Sequence, residues 1–380
     1  MSFTIKKRLF TPGPTPVPYY IRQALAEPAI HHRTAQFKEV LIDTKAKLSR
    51  LAESENQTVV LTSSGTGAME ASVSNFFSKG DKVLVVRAGK FGERWGKICE
   101  AFGLDVLYYD IEYGDSADPN VIEEIIRKEK LSGLFIQATE TSTGAFHPIE
   151  EIGKLLKTIA PSTLYIVDAV STMGAVRIKT DLYNIDILVW GSQKGLMIPP
   201  GLSFLTISDK AFERASSSDL PHFYFNVAGE LEKQKGGSTL YTPATALIVA
   251  LQKALDKIFE EGLENLYKRH KLLASATRAA LIEIGFSLFP KHPSDALTVI
   301  TKRNFDFEKA RGELLNWFGI LIAGGQGNLK GKIVRIAHMG YFDIVDMAGF
   351  LGAFKLVCSE QSEIKGDPVK RFTEEYNKNE

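Results

Sequence analysis

Short apolar runs recur along the first two thirds of the chain, each too brief for a helix and apolar at nearly every position. They are TVVLT (58–62), VLVVR (83–87), DVLYY (105–109), GLFIQ (133–137), LYIVD (164–168), DILVW (186–190) and LSFLT (202–206). Continuous rather than alternating hydrophobicity is what a strand buried on both faces requires. Helical stretches stand between them. Two open on a proline, at Asp118-Pro119 before VIEEIIRKEK and at His147-Pro148 before IEEIGKLLKTIA, where the missing N–H costs nothing in a first turn. This alternation predicts an α/β fold with a seven-stranded, mostly parallel sheet covered by helices on both faces.

Beyond residue 256 the pattern changes. A long helix with the repeat Leu266, His270, Leu273, Ala276, Ala280 is followed by GFSLF (285–289), ALTVI (296–300), ILIAGG (320–325) and KIVRIAH (332–338), which reads as a smaller α+β domain. A chain of 380 residues exceeds the usual size of one core, so two domains are expected. The predicted division is an amino-terminal segment 1–15, a large domain 16–256, a small carboxy-terminal domain 257–363 and a charged tail 364–380, expected to fray.

Charge changes the picture only by exclusion. With 46 basic and 45 acidic side chains the net charge is +1, so no field for nucleic acid or a membrane surface is implied. Cys99 and Cys358 are the two cysteines, too few for a disulfide framework and suited to a reducing cytosol. The start MSFTIKKRLF lacks the apolar stretch of a signal peptide, no run approaches membrane-spanning length, and the protein is expected to be cytoplasmic.

Candidate chemistry gathers at strand ends. Asp168 closes LYIVD, and Lys194 follows DILVW in GSQK. An acid and an amine at the carboxyl ends of successive buried strands stand where open α/β sheets bind ligands, and neither residue type is often buried without a partner or a task. Thr62-Ser63-Ser64-Gly65-Thr66-Gly67 lies between TVVLT and a periodic apolar stretch. A small hydroxyl-bearing turn that opens a helix is an anion site, because free N–H groups and the helix dipole point at the bound group. An anion cradle, an acid and a lysine are the parts that hold pyridoxal 5′-phosphate, where lysine forms the Schiff base and the acid pairs with the pyridinium nitrogen.

On these residues the chain resembles the class V, fold type I aminotransferases, most closely the alanine–glyoxylate and serine–glyoxylate (serine–pyruvate) group. The resemblance runs from TPGPTPVP (11–18) to KIVRIAHMG (332–340). It is carried by SSGTGAME (63–70), ETSTG (140–144), VDAVSTMG (167–174), GSQKGLMIPPG (191–201) and YTPAT (241–245), in this order and spacing.

The resemblance implies a role for each matching position. Lys194 is the Schiff-base lysine and proton carrier, and Asp168 is the partner of the ring nitrogen. Ser64, Gly65, Thr66 and Gln193 fall at the phosphate, joined by Thr242 from the second subunit of a homodimer with shared active sites. Phe91 takes the place of a stacking aromatic ring that is Trp in many relatives, and Val170 packs on the other ring face. Thr141 matches the position near the ring hydroxyl and the substrate carboxylate. Gly13 leaves room for substrate. Arg33, in HHRTAQF, matches an arginine that meets the substrate phosphate in phosphoserine aminotransferases. Arg335 is the candidate for the substrate's α-carboxylate. It lies inside the apolar run Ile333-Val334-Arg335-Ile336-Ala337, where an unpaired guanidinium is costly, so a carboxylate partner is expected, either the substrate's or that of an acidic side chain.

The resulting expectation is a pyridoxal-phosphate aminotransferase with a ping-pong cycle, moving an amino group from a small amino acid, alanine or serine, to a small 2-oxo acid, glyoxylate or pyruvate. No metal site is expected. Phosphoserine or aspartate stands as an alternative donor. A cysteine desulfurase-like lyase is disfavoured, because Cys99 lies in a helical stretch and Cys358 in a helix beyond Arg335. A nucleotide-binding module is disfavoured because SSGTGAME has no Gly-Lys-Ser/Thr ending. A hydrogenase-associated subunit without catalytic function is opposed by the presence of Lys194, Asp168 and Arg335.

Overall fold

All seven predicted runs form one sheet in the computed structural model, which describes residues 5–361 and 363–379. Across the sheet the order is Gln57–Leu61, Ser203–Ile207, Ile187–Gly191, Leu164–Asp168, Gly133–Gln137, Lys82–Arg87, Asp105–Asp110. Every neighbouring pair is parallel except at Ser203–Ile207, which runs antiparallel to both strands beside it.

The continuous hydrophobicity of these strands has a direct cause. In Leu164–Asp168, Tyr165 and Val167 belong to one buried cluster and Leu164 and Ile166 to another on the opposite face. No position of the strand faces water, so none can be polar until Asp168 at its end. One exposed edge is blunted by a side chain. The Gln234 amide donates to the Val60 carbonyl at 2.8 Å and accepts from the Val60 N–H at 3.0 Å, standing in for the neighbour that the edge strand Gln57–Leu61 lacks.

A second sheet, ordered Ser287–Leu288, Leu297–Thr301, Ile333–Ala337, Ala323–Gly324, packs with the helices Leu263–Glu283, Phe307–Phe318 and Ile344–Ser359 around its own core. The run ILIAGG is two short strands instead of one. Ile320–Leu321 pairs in parallel with the amino-terminal Arg8–Leu9, after which Ala323–Gly324 pairs with Ile333–Ala337 and sets Ala323 opposite Arg335. Two different partners claim the two halves, and the chain must bend between them.

Most of the carboxy-terminal tail expected to fray is ordered, with Glu380 outside the described residues. Pro368–Asn379 is a helix on the Leu263–Glu283 and Ile344–Ser359 helices, with Phe372 fully buried. Its high charge hid one apolar stripe: Val369, Phe372 and Tyr376, at spacings of three and four, all face the second core. Among the described residues no helix is long and apolar enough to cross a membrane.

Candidate active site

Lys194 and Asp168 meet in a cavity of about 290 Å³ at the carboxyl ends of the central strands. Both are buried, at 7% and 5% exposure. Lys194 follows the Ile187–Gly191 strand on a loop that the amino-terminal segment straps down. The Thr15 hydroxyl donates to the Lys194 carbonyl at 2.8 Å, Thr15 N donates to the Gln193 carbonyl at 3.1 Å, and the Lys194 ammonium donates to the Pro12 carbonyl. Gly13 is pressed against the lysine. A Cβ built there would stand 2.5 Å from Lys194 Nζ, and its φ of 124° also disfavours any side chain.

Burial dominates the electrostatics of this pair. It lowers the Lys194 pKa to about 8, with Arg335 and Arg94 pushing the same way against the attraction of Asp168. It raises Asp168 to about 6, with Glu140 adding to the shift, while the Val170 N–H, donating to the carboxylate at 2.8 Å, and Lys194 oppose it. Desolvation outweighs mutual attraction on both sides, which leaves an amine partly free of its proton near neutral pH.

The anion turn stands across the cavity. The helix Gly65–Phe76 begins at Ser64, whose hydroxyl makes no cap bond. The Gly67 N–H donates to the Ser64 carbonyl at 2.8 Å, so the Ser64 hydroxyl and the N–H groups of Gly65 and Thr66 are the ones available to a ligand. Ser63 instead pairs with Ser203 at 2.6 Å. Gly65 lets the turn approach Val170, whose Cγ2 would lie 2.8 Å from a Cβ at that position. The Thr66 hydroxyl accepts from Arg94 at 3.0 Å. Gln193 lines the same space with a buried Oε1 that has no partner, an orphaned acceptor of the kind a ligand or water satisfies. Phe91 and Val170 supply apolar walls, and Arg94 lies over the Phe91 ring at 4.8 Å. These features fit a planar, phosphate-bearing cofactor.

Arg335 is buried and has no carboxylate within ion-pair reach among the described residues. Its Nε donates to the Gly324 carbonyl at 3.0 Å and its Nη1 to the Thr141 carbonyl at 3.2 Å. Of the two carboxylate partners its setting allowed, the acidic side chain is absent among the described residues, and Nη2 makes no bond within them. Burial lowers its pKa to about 10, which leaves it charged at neutral pH. Thr141 is buried beside it, its hydroxyl donating to Ser171 at 2.7 Å.

Thr141 and Arg335 do not line this cavity but lie buried near it, Arg335 close enough to act on the Lys194 charge, whereas Thr242 and Arg33 stand apart. Thr242 is exposed. Arg33, also exposed, donates to the Ser238 hydroxyl and to the Thr239 carbonyl at 3.1 Å. They share one surface, where Tyr241 stacks with Tyr224 at 5.4 Å and Phe223 is 81% exposed. Cys99 and Cys358 are buried in helices, and burial raises both thiols, Cys358 to about 12, so neither can act as a ready nucleophile. A larger cleft of about 790 Å³ opens beside Ser49 and Gln57. It contains the buried amine of Lys45, whose pKa burial lowers to about 8, with Glu53 and Glu55 on the same lining, but among the described residues no glycine-bearing helix start faces it.

Sequence reasoning missed two residues here. Arg94 lies one helical turn beyond Phe91 and could have been found by that spacing. Glu140 could not, since nothing local shows that the glutamate of ETSTG is buried completely.

Comparison with known proteins identifies the family. The family model for class V aminotransferases matches residues 17–335. An uncharacterized aminotransferase of Methanocaldococcus jannaschii is 41% identical over 373 residues, covering 96% of each chain. A serine–glyoxylate aminotransferase of Methylorubrum extorquens is 32% identical, covering 92% of this chain and 90% of its own. Among solved structures, an aspartate aminotransferase of subgroup IV from Thermus thermophilus superimposes with a TM-score of 0.88 at 34% identity, covering 94% of this chain and all of the other.

Proposed function

Since the chain belongs to the class V aminotransferases, we propose that it carries an amino group from alanine or serine to glyoxylate or pyruvate, with pyridoxal 5′-phosphate seated in the Lys194 cavity. The observation that carries the reading is the burial of an amine and a carboxylate in one cavity that faces an uncapped helix start. Pyridoxal phosphate supplies an electrophilic carbonyl carbon and an electron-withdrawing ring. The protein's part is to bind, orient and move protons.

Ser64, the N–H groups of Gly65 and Thr66, and Gln193 take the phosphate. Asp168 takes the ring nitrogen, and the negative charge of its ionised carboxylate favours the protonated ring. Phe91 and Val170 flank the ring, Thr141 borders it, and Gly13 keeps the approach to the lysine open. Arg335 receives the substrate carboxylate, and Lys194 carries the proton at Cα. A two-stage ping-pong cycle follows if donor and acceptor use this one cavity in turn. The serine–glyoxylate relative supports the small-substrate pair. Arg94, the guanidinium that lines the cavity itself, favours a dicarboxylic donor such as aspartate as the runner-up, the substrate named for the Thermus thermophilus relative. Alanine, serine and aspartate, each offered with glyoxylate, pyruvate and 2-oxoglutarate, should give fastest turnover with alanine or serine and glyoxylate. Turnover confined to aspartate would replace that choice, and no turnover with any pair would sink the proposal.

Burial of Lys194 has a pH consequence. Because its folded-state pKa lies at about 8 instead of 10.5, the free base accumulates as pH rises through about 8. The rate at which cofactor-free protein captures pyridoxal phosphate, followed by absorbance, should climb with that midpoint. A midpoint close to 10.5 would show the amine to be solvated.

A further expectation concerns assembly. Thr242, Arg33 and the exposed Phe223 and Tyr224 share a surface, and we assign it to a homodimer in which Thr242 reaches the neighbouring phosphate. Sedimentation should give a dimer, and Thr242→Val should weaken cofactor binding about tenfold, the loss of one hydrogen bond to a charged group. A monomer with full activity contradicts this.

A further inference from the structure

Glu140 has no exposed surface and lies between the helix whose Phe91 and Arg94 line the cavity and the segment whose Thr141 carbonyl holds Arg335. One carboxylate oxygen accepts from the N–H groups of Phe91 at 3.1 Å and Gly92 at 3.0 Å, in the first turn of the Lys90–Ala101 helix. The other accepts from the Ser142 N–H at 3.1 Å and the Ser142 hydroxyl at 2.6 Å. Ser142 Oγ in turn accepts from Lys90 N at 3.0 Å. The helix start is thus capped from a segment about fifty residues away in sequence. The local cap position, Gly89, cannot do it, since a Cβ there would collide with Ser142 Oγ and Glu140 Cδ.

The N–H groups of Phe91, Gly92 and Ser142 can only donate, which favours the ionised carboxylate; the Ser142 hydroxyl can serve either form. Burial pushes the Glu140 pKa up, and the four hydrogen bonds together with the helix dipole act against that shift. The backbone beside the carboxylate matters as much. The Thr141 carbonyl takes Arg335 Nη1, and the Thr141 hydroxyl bonds Ser171, three residues past Asp168. Phe91 and Arg94 on one side, and Thr141 and Arg335 on the other, are joined through this one side chain.

We infer that Glu140 is a positioning residue, whose carboxylate fixes the spacing between the ring wall at Phe91 and the carboxylate-binding wall at Thr141 and Arg335. It touches neither substrate nor cofactor and acts through the groups it holds. The inference rests on the aminotransferase reading of the cavity, because its signature is the seating of the cofactor.

Glu140→Gln tests it. The amide keeps the shape, but its NH₂ must face either the helix N–H groups or those of Ser142, so one wall is released. In the cofactor-loaded protein the variant should retain the cofactor while losing about half or more of the visible circular dichroism of the bound ring. Its single-turnover rate with the best donor should fall by about 100-fold, the scale expected of a displacement near 1 Å. Ser142→Ala, which deletes one donor and keeps the charge, should move both readouts in the same direction by less. It decides the matter if the glutamine variant does not fold. A lowered melting temperature with wild-type dichroism and wild-type single-turnover rate would reduce Glu140 to a helix cap and overturn the inference. A wild-type protein that takes up no pyridoxal phosphate would instead overturn the cofactor reading beneath it.

Discussion

Lys194→Ala is expected to yield a folded protein that transaminates at least about a thousandfold more slowly than wild type, the combined loss of a nucleophile and a proton carrier. Its thermal midpoint should stay level or rise. The ammonium sits in a desolvating cavity that lowers its pKa from 10.5 to about 8, so the protein holds a group whose charged form its own interior disfavours. The linkage has a definite sign. Between pH 8 and 10.5 the unfolded chain binds more protons at this site than the folded one, so wild-type stability gains with rising pH across that window, and the alanine variant lacks the gain. Loss of activity without loss of stability marks a functional residue in a strained setting. Calorimetry at pH 7 and pH 9.5, beside a single-turnover assay, measures both. Full turnover in the alanine variant would remove Lys194 from the chemistry.

Most of this arrangement is legible in the sequence because it is local. Strands buried on both faces must be apolar throughout, so Asp168 stands out as the first polar residue after LYIV. The same holds for the turn at Ser64–Thr66, where small hydroxyl and glycine residues mark a helix start with free N–H groups. Relations between distant segments were not legible. Glu140 reads as an ordinary loop acid until the fold brings Phe91 and Gly92 onto it, and that no acidic side chain among the described residues pairs with Arg335 is a negative fact that only packing reveals. The tail misled for a related reason: Val369, Phe372 and Tyr376 are diluted among charges, and what makes them a stripe is a helix that forms only against the second core. Thr242 and Arg33 lie on a surface of their own, and their assignment concerns a second chain.

Arg335→Lys should lower kcat/KM by about 30- to 1,000-fold for every donor and acceptor, with cofactor content and visible absorbance unchanged. The range corresponds to about 2–4 kcal/mol for a charge-assisted, forked contact. Lysine keeps the charge but cannot reproduce the geometry. Arg335 uses Nε on the Gly324 carbonyl and Nη1 on the Thr141 carbonyl to orient a planar group. A single ammonium would have to choose between those carbonyls and the substrate, and being more strongly hydrated it tolerates the buried strand less well. The loss should be uniform because the α-carboxylate is common to all substrates. Arg33→Ala provides the contrast, since it stands on the separate surface with Ser238 and Thr239. A selective collapse with phosphoserine in that variant would restore a phosphorylated donor, and equal small losses for all donors would dismiss it. Normal kinetics in Arg335→Lys would mean that the substrate carboxylate is held elsewhere, with Arg94 the next guanidinium to replace.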